Sequence, residues 1–529
     1  MIVELPTPAV PEEAAGLSPE EIAGQLVCVP LRDYAGERAA RDAFLAEVER
    51  FGWGGVIVFG GELAAVEDLL AEAQSRARIP LLATGDFERG FGQQFPRSAT
   101  TFPPLMALGA AADPALARAT ASAAAREMRA SGFHVDYTPV ADLAIEPANP
   151  IVGTRSAGDD PDAVAAIVAA TVEGFQSAGV AAAVKHFPGH GRTTVDSHET
   201  LPVVDATRAE LEAADLVPFR AGLAAGVRLV MTAHVVFPAL EPDGARDRPA
   251  TFSRAICTDL LRGDLGFDGL VCSDALMMGA VAGAGPETAA LRALEAGVDW
   301  LLYPPEPARV HTALAAAIRE GAAGARAEQA AGRLLALKRW ARAGQPPPAR
   351  PAASPAALAE EVAAAALAAD PPAPPPGPAW PDRAQWIVVL DGAIGRGDLV
   401  LAEELAPAAA ERLHVVDTSA PEAEVRAAIE EARRLADRAW VACAVLSPIR
   451  AWKNRPGLSA AGREAAEAAL SAADEAVLIV FSNPRIVTEL QAPSRTVWAF
   501  GEDPACQRAA IAFLRGARPA AGRVPVRSL

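Results

Sequence analysis

The chain has 529 residues, which suggests two or three domains because a single α/β barrel can use roughly 250 residues or more. Hydrophobic residues make up 51% of the chain and charged residues 22%, so a largely disordered protein is excluded. Acidic residues outnumber basic residues by 66 to 48, and the net charge of −18 argues against a nucleic-acid-binding protein or a polybasic membrane anchor. A small, neutral ligand fits this charge better.

The sequence shows no targeting or anchoring signal. Its N-terminal segment carries Glu4, Glu12 and Glu13, has its first basic residue at Arg32, and lacks an apolar run of signal-peptide length. No uncharged apolar window reaches the roughly 18 residues that a membrane-spanning helix needs. The five cysteines show neither paired nor metal-ligand spacing. We therefore expect a cytoplasmic protein without disulfides, metal or membrane anchor.

Eight short apolar runs between residues 22 and 306 alternate with longer segments of helical period. They begin at Gln25, Gly54, Pro80, His134, Ala181, Arg228, Gly269 and Asp299. Eight strands, each followed by a helix, predict a (β/α)8 TIM-type barrel as the catalytic domain over residues 1–344. An open, doubly wound parallel sheet is the alternative that the same alternation allows.

The composition changes after Gly344. Residues 345–384 hold two proline clusters around an alanine-rich stretch, which predicts a stiff linker with one helix. Five further β-rich runs then alternate with helical segments, so we expect residues 385–529 to form a smaller α/β sandwich domain with a five-stranded parallel sheet. No glycine-rich phosphate loop follows its first strand, and we expect no nucleotide or other cofactor.

Ionisable side chains follow five of the predicted barrel strands. They are Asp86 and Glu88, Asp142, Lys185 and His186, His234, and Asp274. Active-site groups of such barrels lie at the carboxyl ends of the strands, so these side chains are expected to meet at one rim. Each of them alone could be a helix cap or a structural ion pair, but their number favours an active site.

The segment 185–198, KHFPGHGRTTVDSH, contains three of the seven histidines of the chain, and its proline and glycines predict a loop. Asp196 and His198 are two residues apart, so an extended backbone places both on one face. The carboxylate would then orient the imidazole as a general acid/base. Two alternatives are that Asp196 caps a helix, or that zinc binds to His186, His190, Asp196 and His198. No thiolate or HExxH arrangement supports zinc.

Asp274 follows an almost uncharged run, VCS, and precedes ALMM. An acid at the end of a buried strand is either a satisfied structural group or a carboxylate held for covalent chemistry. Together with a second acid group on the facing rim, it could cleave a glycosidic bond. His198 would then take the place of the usual second carboxylate.

Four segments carry a family resemblance. They are NPIVGTRSAGDDP (149–161), KHFPGHG with DSH (185–198), MTAH (231–234) and SDALMM (273–278). This combination resembles glycoside hydrolase family 3, in its bacterial β-N-acetylglucosaminidase (NagZ-like) branch. The resemblance covers nearly all of the predicted barrel. The second domain, with its terminal AAGRVPV, is similar to the α/β sandwich that many members append.

The resemblance implies a role for each matching residue. Asp274 would be the nucleophile that forms a glycosyl-enzyme, with net retention of configuration, and His198 the acid/base oriented by Asp196. The side chains implied to contact the hydroxyls and the N-acetyl region of the sugar are Asp86, Arg155, Lys185 and His186, with His234 lining the same pocket. A buried ion pair with nearby acids is the structural alternative for Arg155 and Lys185.

One segment departs from the family pattern. Relatives read DQEGGRVQR after the third strand, whereas this chain reads DFERGFGQQ, with Gln94 at the position of an expected arginine and with Phe87 and Arg89 also different. The departure leaves the reaction type intact and the sugar open.

The resemblance therefore implies a retaining exo-glycosidase that removes terminal β-linked N-acetylglucosamine from a small carbohydrate, such as a cell-wall muropeptide fragment. A β-N-acetylglucosaminide phosphorylase is an alternative on the same residues, because an imidazole base does not repel phosphate. A catalytically retired sugar-binding sensor is the alternative outside enzymes. The basic loop with Arg450, Lys453 and Arg455 could meet a muropeptide carboxylate or be a solvated surface loop.

Overall fold

The computed structural model describes residues 11–31, 38–343, 354–375, 380–392, 399–405, 411–449, 453–491 and 493–527. The chain divides into two compact units. The first comprises residues 1–100, 117–142 and 168–352, and the second comprises residues 101–116, 143–167 and 353–529. Residues 101–116 and 143–167 thus group with the second unit, although they belong to the segment predicted as barrel. Most of the first proline cluster of the predicted linker, and residues 376–379 of the second, lie outside the described residues.

The first unit contains an eight-stranded parallel sheet. Its strands are β1 (Val27–Leu31), β2 (Gly55–Val58), β3 (Leu82–Gly85), β4 (Val135–Asp136), β5 (Ala181–Phe187), β6 (Leu229–Thr232), β7 (Leu270–Ser273) and β8 (Leu301–Leu302). The strand order is β7-β6-β5-β4-β3-β2-β1-β8. The two outermost strands meet at a parallel bridge between Cys272 and Trp300, which closes the sheet into a barrel. The predicted (β/α)8 barrel is confirmed, and the open doubly wound sheet is wrong for this unit.

The barrel strands are apolar because both of their faces are covered. All seven residues of β5 are buried, and the interior is filled by side chains from every strand, including Ile57, Leu229 and Trp300. Trp300 also explains a glycine in β2. A Cβ atom on Gly55 would lie 2.6 Å from a Trp300 ring carbon and 2.6 Å from the Leu82 carbonyl oxygen. A larger residue at position 55 would therefore displace the interior packing.

Helices connect the barrel strands and surround them. The helical segments are Pro19–Gln25, Arg38–Phe51, Leu63–Arg76, Pro114–Ala130, Pro161–Ser177, Arg208–Glu210, Leu211–Asp215, Leu216–Ala224, Ala255–Asp264, Gly279–Ala282, Pro286–Ala296, Pro307–Arg319 and Gly324–Arg342. The first of them shows how its sequence sets its start. Ser18 and Glu21 form a reciprocal capping box, with the Ser18 side chain accepting from the Glu21 N–H.

The second unit contains a six-stranded mixed sheet. Its strands are β9 (Ala368–Asp370), β10 (Gln385–Leu390), β11 (Leu413–Asp417), β12 (Trp440–Leu446), β13 (Glu475–Val480) and β14 (Thr496–Trp498). The order is β11-β10-β12-β13-β14-β9, and β9 is antiparallel to β14. Its helices are Leu105–Ala111, Pro355–Ala366, Trp380–Arg383, Leu401–Glu404, Glu422–Ala436, Ala460–Ala472 and Pro504–Leu514.

The predicted α/β domain is confirmed, but its purely parallel, five-stranded sheet is wrong. The sixth strand, β9, comes from the segment predicted as linker. Its three residues, Ala-Ala-Asp, carry no β-branched or aromatic signal and stand directly before Pro371. They become a strand because they pair with the edge of β14 through main-chain hydrogen bonds that local composition does not reveal.

The basic loop of the second unit is held by a buried carboxylate. Asp391, at the end of β10, accepts hydrogen bonds from the Arg455 guanidinium at 3.2 Å and from the Ser459 N–H at 2.8 Å. Lys453 Nζ donates to Ser447 Oγ at 2.7 Å. These two cations therefore bind groups of their own unit, while Arg450 lies outside the described residues.

All five cysteines are buried and none forms a disulfide. Burial raises the pKa of the Cys28, Cys257 and Cys443 thiols to about 12. Among the helices within the described residues, none combines the length and apolar character that crossing a lipid bilayer requires.

Candidate active site

The carboxyl ends of the barrel strands carry most of the residues predicted for the site. Asp86 follows β3, and Asp274 follows β7. Lys185 and His186 are among the last three residues of β5. His234 follows β6 by two residues. Asp196 and His198 belong to the loop after β5. Each of these seven positions lies in the first unit, as the rim rule for such barrels predicts.

Arg155 is the exception among the predicted residues. It ends the short 3-10 turn Gly153–Arg155, which belongs to the second unit. Its guanidinium donates a hydrogen bond of 3.0 Å to the Ile151 carbonyl oxygen. A sugar contact by Arg155 stays a prediction.

Asp274 is a carboxylate surrounded by histidines. Its Oδ1 accepts a hydrogen bond of 2.7 Å from the Ala275 N–H, and its Oδ2 lies 4.0 Å from His186 Nε2. Burial on its own would raise the pKa of Asp274. The neighbouring imidazoles of His186, His234 and His198, together with the Ala275 N–H, outweigh that effect, and the pKa falls to about 2. Asp274 is therefore ionised throughout the neutral range, as a nucleophile must be.

His186 is oriented by a buried carboxylate. Its Nδ1 lies 2.7 Å from Asp142 Oδ2, and its backbone N–H donates to Asp142 Oδ1 at 3.1 Å. Burial raises the pKa of Asp142, but the charge and hydrogen bond of His186 outweigh it and keep the carboxyl ionised. The Nδ1 of His186 therefore carries a proton, and Nε2 is directed toward Asp274.

Lys185 is a buried cation between two acids. Only 2% of its side chain is exposed, and its Nζ lies 2.8 Å from Asp86 Oδ1 and 2.7 Å from Glu88 Oε1. The Asp86 side chain is 35% exposed, so one of the two carboxylates also faces solvent. The arrangement offers both charge-assisted donors and acceptors to a hydroxylated ligand. Glu88, which also follows β3, thus joins the predicted residues of the site.

Asp196 and His198 form the predicted dyad. His198 Nδ1 lies 2.6 Å from Asp196 Oδ1, and the same oxygen accepts from the His198 N–H at 2.9 Å. Asp196 is buried, whereas one fifth of the His198 side chain is exposed. With Nδ1 turned to the carboxylate, Nε2 is the ring nitrogen that would exchange a proton with a ligand.

The dyad loop is joined to the loop that carries Asp274. The Gly279 N–H donates to the His198 carbonyl oxygen at 3.0 Å, and the Ala280 N–H donates to the Ser197 carbonyl oxygen at 3.3 Å. Gly279 is five residues beyond Asp274 in the sequence. The two candidate catalytic groups are therefore held by directly bonded backbones.

The three histidines of the segment 185–198 face different partners. His186 binds Asp142, His198 binds Asp196, and the ring of His190 lies between Ser197 and Thr193. In the part of the chain that the structure describes, no three His, Cys, Asp or Glu side chains are grouped to hold a metal ion. The zinc alternative therefore finds no support in these contacts.

His234 supports the backbone beside Asp274. Its Nδ1 lies 2.8 Å from Thr251 Oγ1, and its Nε2 lies 3.2 Å from the Ala275 carbonyl oxygen. The residue is completely buried, and burial lowers its pKa. A neutral ring that donates to the Ala275 carbonyl fixes the residue after Asp274. A direct sugar contact by His234 stays a prediction.

Residues 86–94, the segment after β3 that departs from the family pattern, are anchored by aromatic rings. Phe87 lies 5.0 Å from Phe91 and 5.4 Å from Phe133, measured between ring centroids in edge-to-face geometry. Gln94 Nε2 donates a long hydrogen bond of 3.4 Å to the Asp86 carbonyl oxygen. Packing of phenylalanines thus positions Asp86 in this chain, and Gln94 contacts the backbone of that residue.

The chain is similar to known proteins in both sequence and fold. Residues 20–337 match the family described as "Glycosyl hydrolase family 3 N terminal domain". The Beta-hexosaminidase of Stenotrophomonas maltophilia (strain K279a) is 42% identical over 258 residues, which cover 47% of this chain and 75% of that protein.

Two solved structures are also similar. The glycoside hydrolase family 3 beta-N-acetylglucosaminidase from Paenibacillus sp. str. FPU-7 has a TM-score of 0.81 and 29% identity, over 97% of this chain and 99% of that one. The Beta-N-acetylhexosaminidase from Beutenbergia cavernae DSM 12333 has a TM-score of 0.55 and 33% identity, over 61% of this chain and 99% of that one.

Proposed function

The chain belongs to glycosyl hydrolase family 3, and from this membership we propose that it is a retaining exo-glycosidase for terminal β-linked N-acetylglucosamine. That it is a glycoside hydrolase follows from the family and from its β-hexosaminidase relatives. The observation that carries the finer proposal is the Asp196–His198 dyad, with its 2.6 Å contact, bonded through Gly279 to the loop of Asp274.

In the first step that we propose, the Asp274 carboxylate attacks the anomeric carbon and forms an ester bond to the sugar. The glycosidic C–O bond breaks, and the leaving oxygen takes the proton from Nε2 of protonated His198. Asp196 stabilises that imidazolium through its contact with Nδ1. In the second step, neutral His198 removes a proton from water, the water oxygen attacks the anomeric carbon, and Asp274 is released. Two inversions give net retention.

The first subsite that we propose is formed by Lys185, Asp86 and His186. The Lys185 ammonium and the Asp86 carboxylate lie 2.8 Å apart. Each can also form charge-assisted hydrogen bonds to sugar hydroxyls. His186 Nε2 lies 4.0 Å from Asp274 Oδ2 and would contact a substituent next to the anomeric carbon. The role of Arg155 rests on the family resemblance alone.

The proposal is tested by Asp274→Ala and His198→Ala, assayed on an aryl β-N-acetylglucosaminide with and without azide. We expect Asp274→Ala to lower kcat by about 10³-fold or more, because the covalent route is lost. Azide should restore activity to Asp274→Ala and give the α-glycosyl azide, with inverted configuration. With His198→Ala, azide should instead give the β-glycosyl azide, with retained configuration. Unchanged turnover in Asp274→Ala would refute the mechanism and leave the sugar-binding sensor as the better account.

We further propose cell-wall muropeptides as the substrate class. The test compares kcat/KM on a muropeptide disaccharide with kcat/KM on the N-acetylglucosamine disaccharide and on the matched β-glucoside. Preference for the muropeptide supports the proposal, and preference for the β-glucoside would contradict the N-acetyl specificity. A cytoplasmic location, expected from the sequence, stays a prediction.

A phosphorylase is the second candidate, and one observation favours it. The base of the proposed second step is an imidazole, and an imidazole does not repel phosphate as a carboxylate would. Phosphate would then replace water at the anomeric carbon and give the sugar 1-phosphate. Adding inorganic phosphate to the assay decides between the two: hydrolysis predicts an unchanged rate and free sugar only, and sugar 1-phosphate would establish the phosphorylase.

A further inference from the structure

His190 is a buried histidine that the proposed reaction does not use. Only 2% of it is exposed, and both of its ring nitrogens meet hydroxyl groups. Nδ1 lies 2.8 Å from Thr193 Oγ1, and Nε2 lies 2.9 Å from Ser197 Oγ. Its backbone N–H donates to Asp142 Oδ1 at 2.6 Å. These three hydrogen bonds link His190 both to Asp142 and to the loop that carries the dyad.

One end of this bridge is the carboxylate that orients His186. Asp142 Oδ1 accepts the N–H groups of both His186 and His190, and Asp142 Oδ2 contacts the His186 ring. The orientation of His186 and the position of the His190 backbone therefore depend on the same buried group.

The other end of the bridge is Ser197, the residue between Asp196 and His198. Its hydroxyl contacts the His190 ring, and its carbonyl oxygen accepts the Ala280 N–H. Ser197 is thus held at two points, by His190 within its own loop and by Ala280 in the loop after β7. Loss of either of these two contacts would let His198 shift relative to Asp274.

His190 is held in its neutral form. Burial lowers its pKa to about 4, with the charge of His186 acting in the same direction. A neutral imidazole donates through one nitrogen and accepts through the other, so in either tautomer it satisfies both hydroxyl partners. The bridge therefore carries no charge that would compete with the dyad.

We propose that His190 is a positioning residue for acid catalysis, which sets the place of the His198 imidazole by tying Ser197 to Asp142. This inference rests on the proposed acid/base role of His198. A displaced general acid harms a reaction in proportion to the basicity of the leaving group, because an acidic phenol departs without a proton whereas a sugar alcohol needs one. The dependence on leaving group therefore separates positioning from general damage to the fold.

The experiment measures kcat/KM of the full-length His190→Phe and Ser197→Ala variants on two N-acetylglucosaminides, one with a nitrophenol leaving group and one with a sugar leaving group. We expect the sugar substrate to lose about 10²-fold in both variants and the nitrophenyl substrate less than about fivefold. The double variant should lose no more than either single one, because both break the same bridge.

His134→Phe is the matched control. It removes another buried histidine from the barrel unit, and its effect should be equal on the two substrates. Equal losses on both substrates in His190→Phe and Ser197→Ala would overturn the inference. His198→Ala separates this outcome from failure of the proposed function. If His198→Ala itself loses equally on both substrates, the acid role is refuted; if it shows the strong dependence and the bridge variants do not, only the bridge is refuted.

Discussion

Two buried aspartates of the barrel rim show how the surroundings of a residue determine its charge. Asp136 Oδ1 accepts the Phe87 N–H, its Oδ2 has no hydrogen-bond partner within the described residues, and burial raises its pKa well above the usual value. Asp142 accepts three N–H groups from His186 and His190, and its pKa is lowered despite equal burial. Burial thus favours the neutral form of the first carboxyl, whereas the contacts with His186 and His190 favour the ionised form of the second.

This contrast predicts different outcomes for the same chemical change. Asp142→Asn replaces one acceptor oxygen by an NH2 group that faces other N–H donors, so we expect kcat/KM to fall about 10²-fold through misplacement of His186 and of the dyad loop. Asp136→Asn, the matched control, replaces a carboxyl whose neutral form burial favours by a neutral amide, and it should stay within about threefold of the parent enzyme. Steady-state kinetics on one substrate checks both. Comparable activity of the two variants would show that the charge of Asp142 does not matter.

At the scale of elements, the catalytic geometry depends on how closely two loops approach. A Cβ atom on Gly279 would lie 2.6 Å from the Glu199 carbonyl oxygen and 2.8 Å from the His198 carbonyl oxygen. Both of these are backbone atoms, which cannot rotate away. Glycine at this position therefore permits the contact between the dyad loop and the loop that follows Asp274.

Gly279→Ala should separate these loops. We expect kcat/KM to fall about tenfold, because the His198 backbone must move by a few tenths of an ångström or more while the barrel stays folded. Gly283→Ala is the control. It lies just after the same short helix, and its Cβ atom would meet nothing within 4 Å. Equal activity of Gly279→Ala and the control would mean that this backbone contact does not position His198.

Which contacts of the site could be predicted from the sequence depends on how far apart the interacting residues lie along the chain. Asp196 and His198 are two residues apart, so their pairing could be predicted from the segment itself. The pairing of Asp142 with His186 spans 44 residues, and the bonds of His190 and Gly279 depend on loop conformation. Alternation predicted all eight barrel strands but not their lengths. The run from His134 became the two-residue strand β4, and Pro139 within that run has no N–H to donate to a strand ladder.

At the scale of the whole molecule, buried neutral histidines couple folding to pH. Burial lowers the pKa of His134 to about 3 and that of His190 to about 4. His134 Nδ1 accepts the Ala83 N–H at 3.1 Å, a bond that requires the unprotonated ring. Between these values and about 6.5, the ordinary pKa of histidine, the unfolded chain binds protons that the native state does not. Stability therefore decreases as the pH falls through this window.

His134→Asn tests this coupling. Asparagine keeps an acceptor near the position of Nδ1 but does not titrate, so the loss of stability between pH 7 and pH 5 should become shallower. The difference in slope is at most about 1.4 kcal/mol per pH unit. Urea denaturation followed by tryptophan fluorescence at several pH values provides the measurement. Parallel pH dependence in the variant and the parent protein would contradict a neutral, buried His134.

Because every thiol is buried, the reactivity of the native cysteines reports on the unfolding of the unit around each of them. Cys28, Cys257 and Cys272 belong to the first unit, and Cys443 and Cys506 to the second. A maleimide reagent should leave the native protein unmodified and label each cysteine only when the surrounding unit opens. Peptide mapping of labelled protein during a denaturant titration would then follow the two units separately, without any engineered probe.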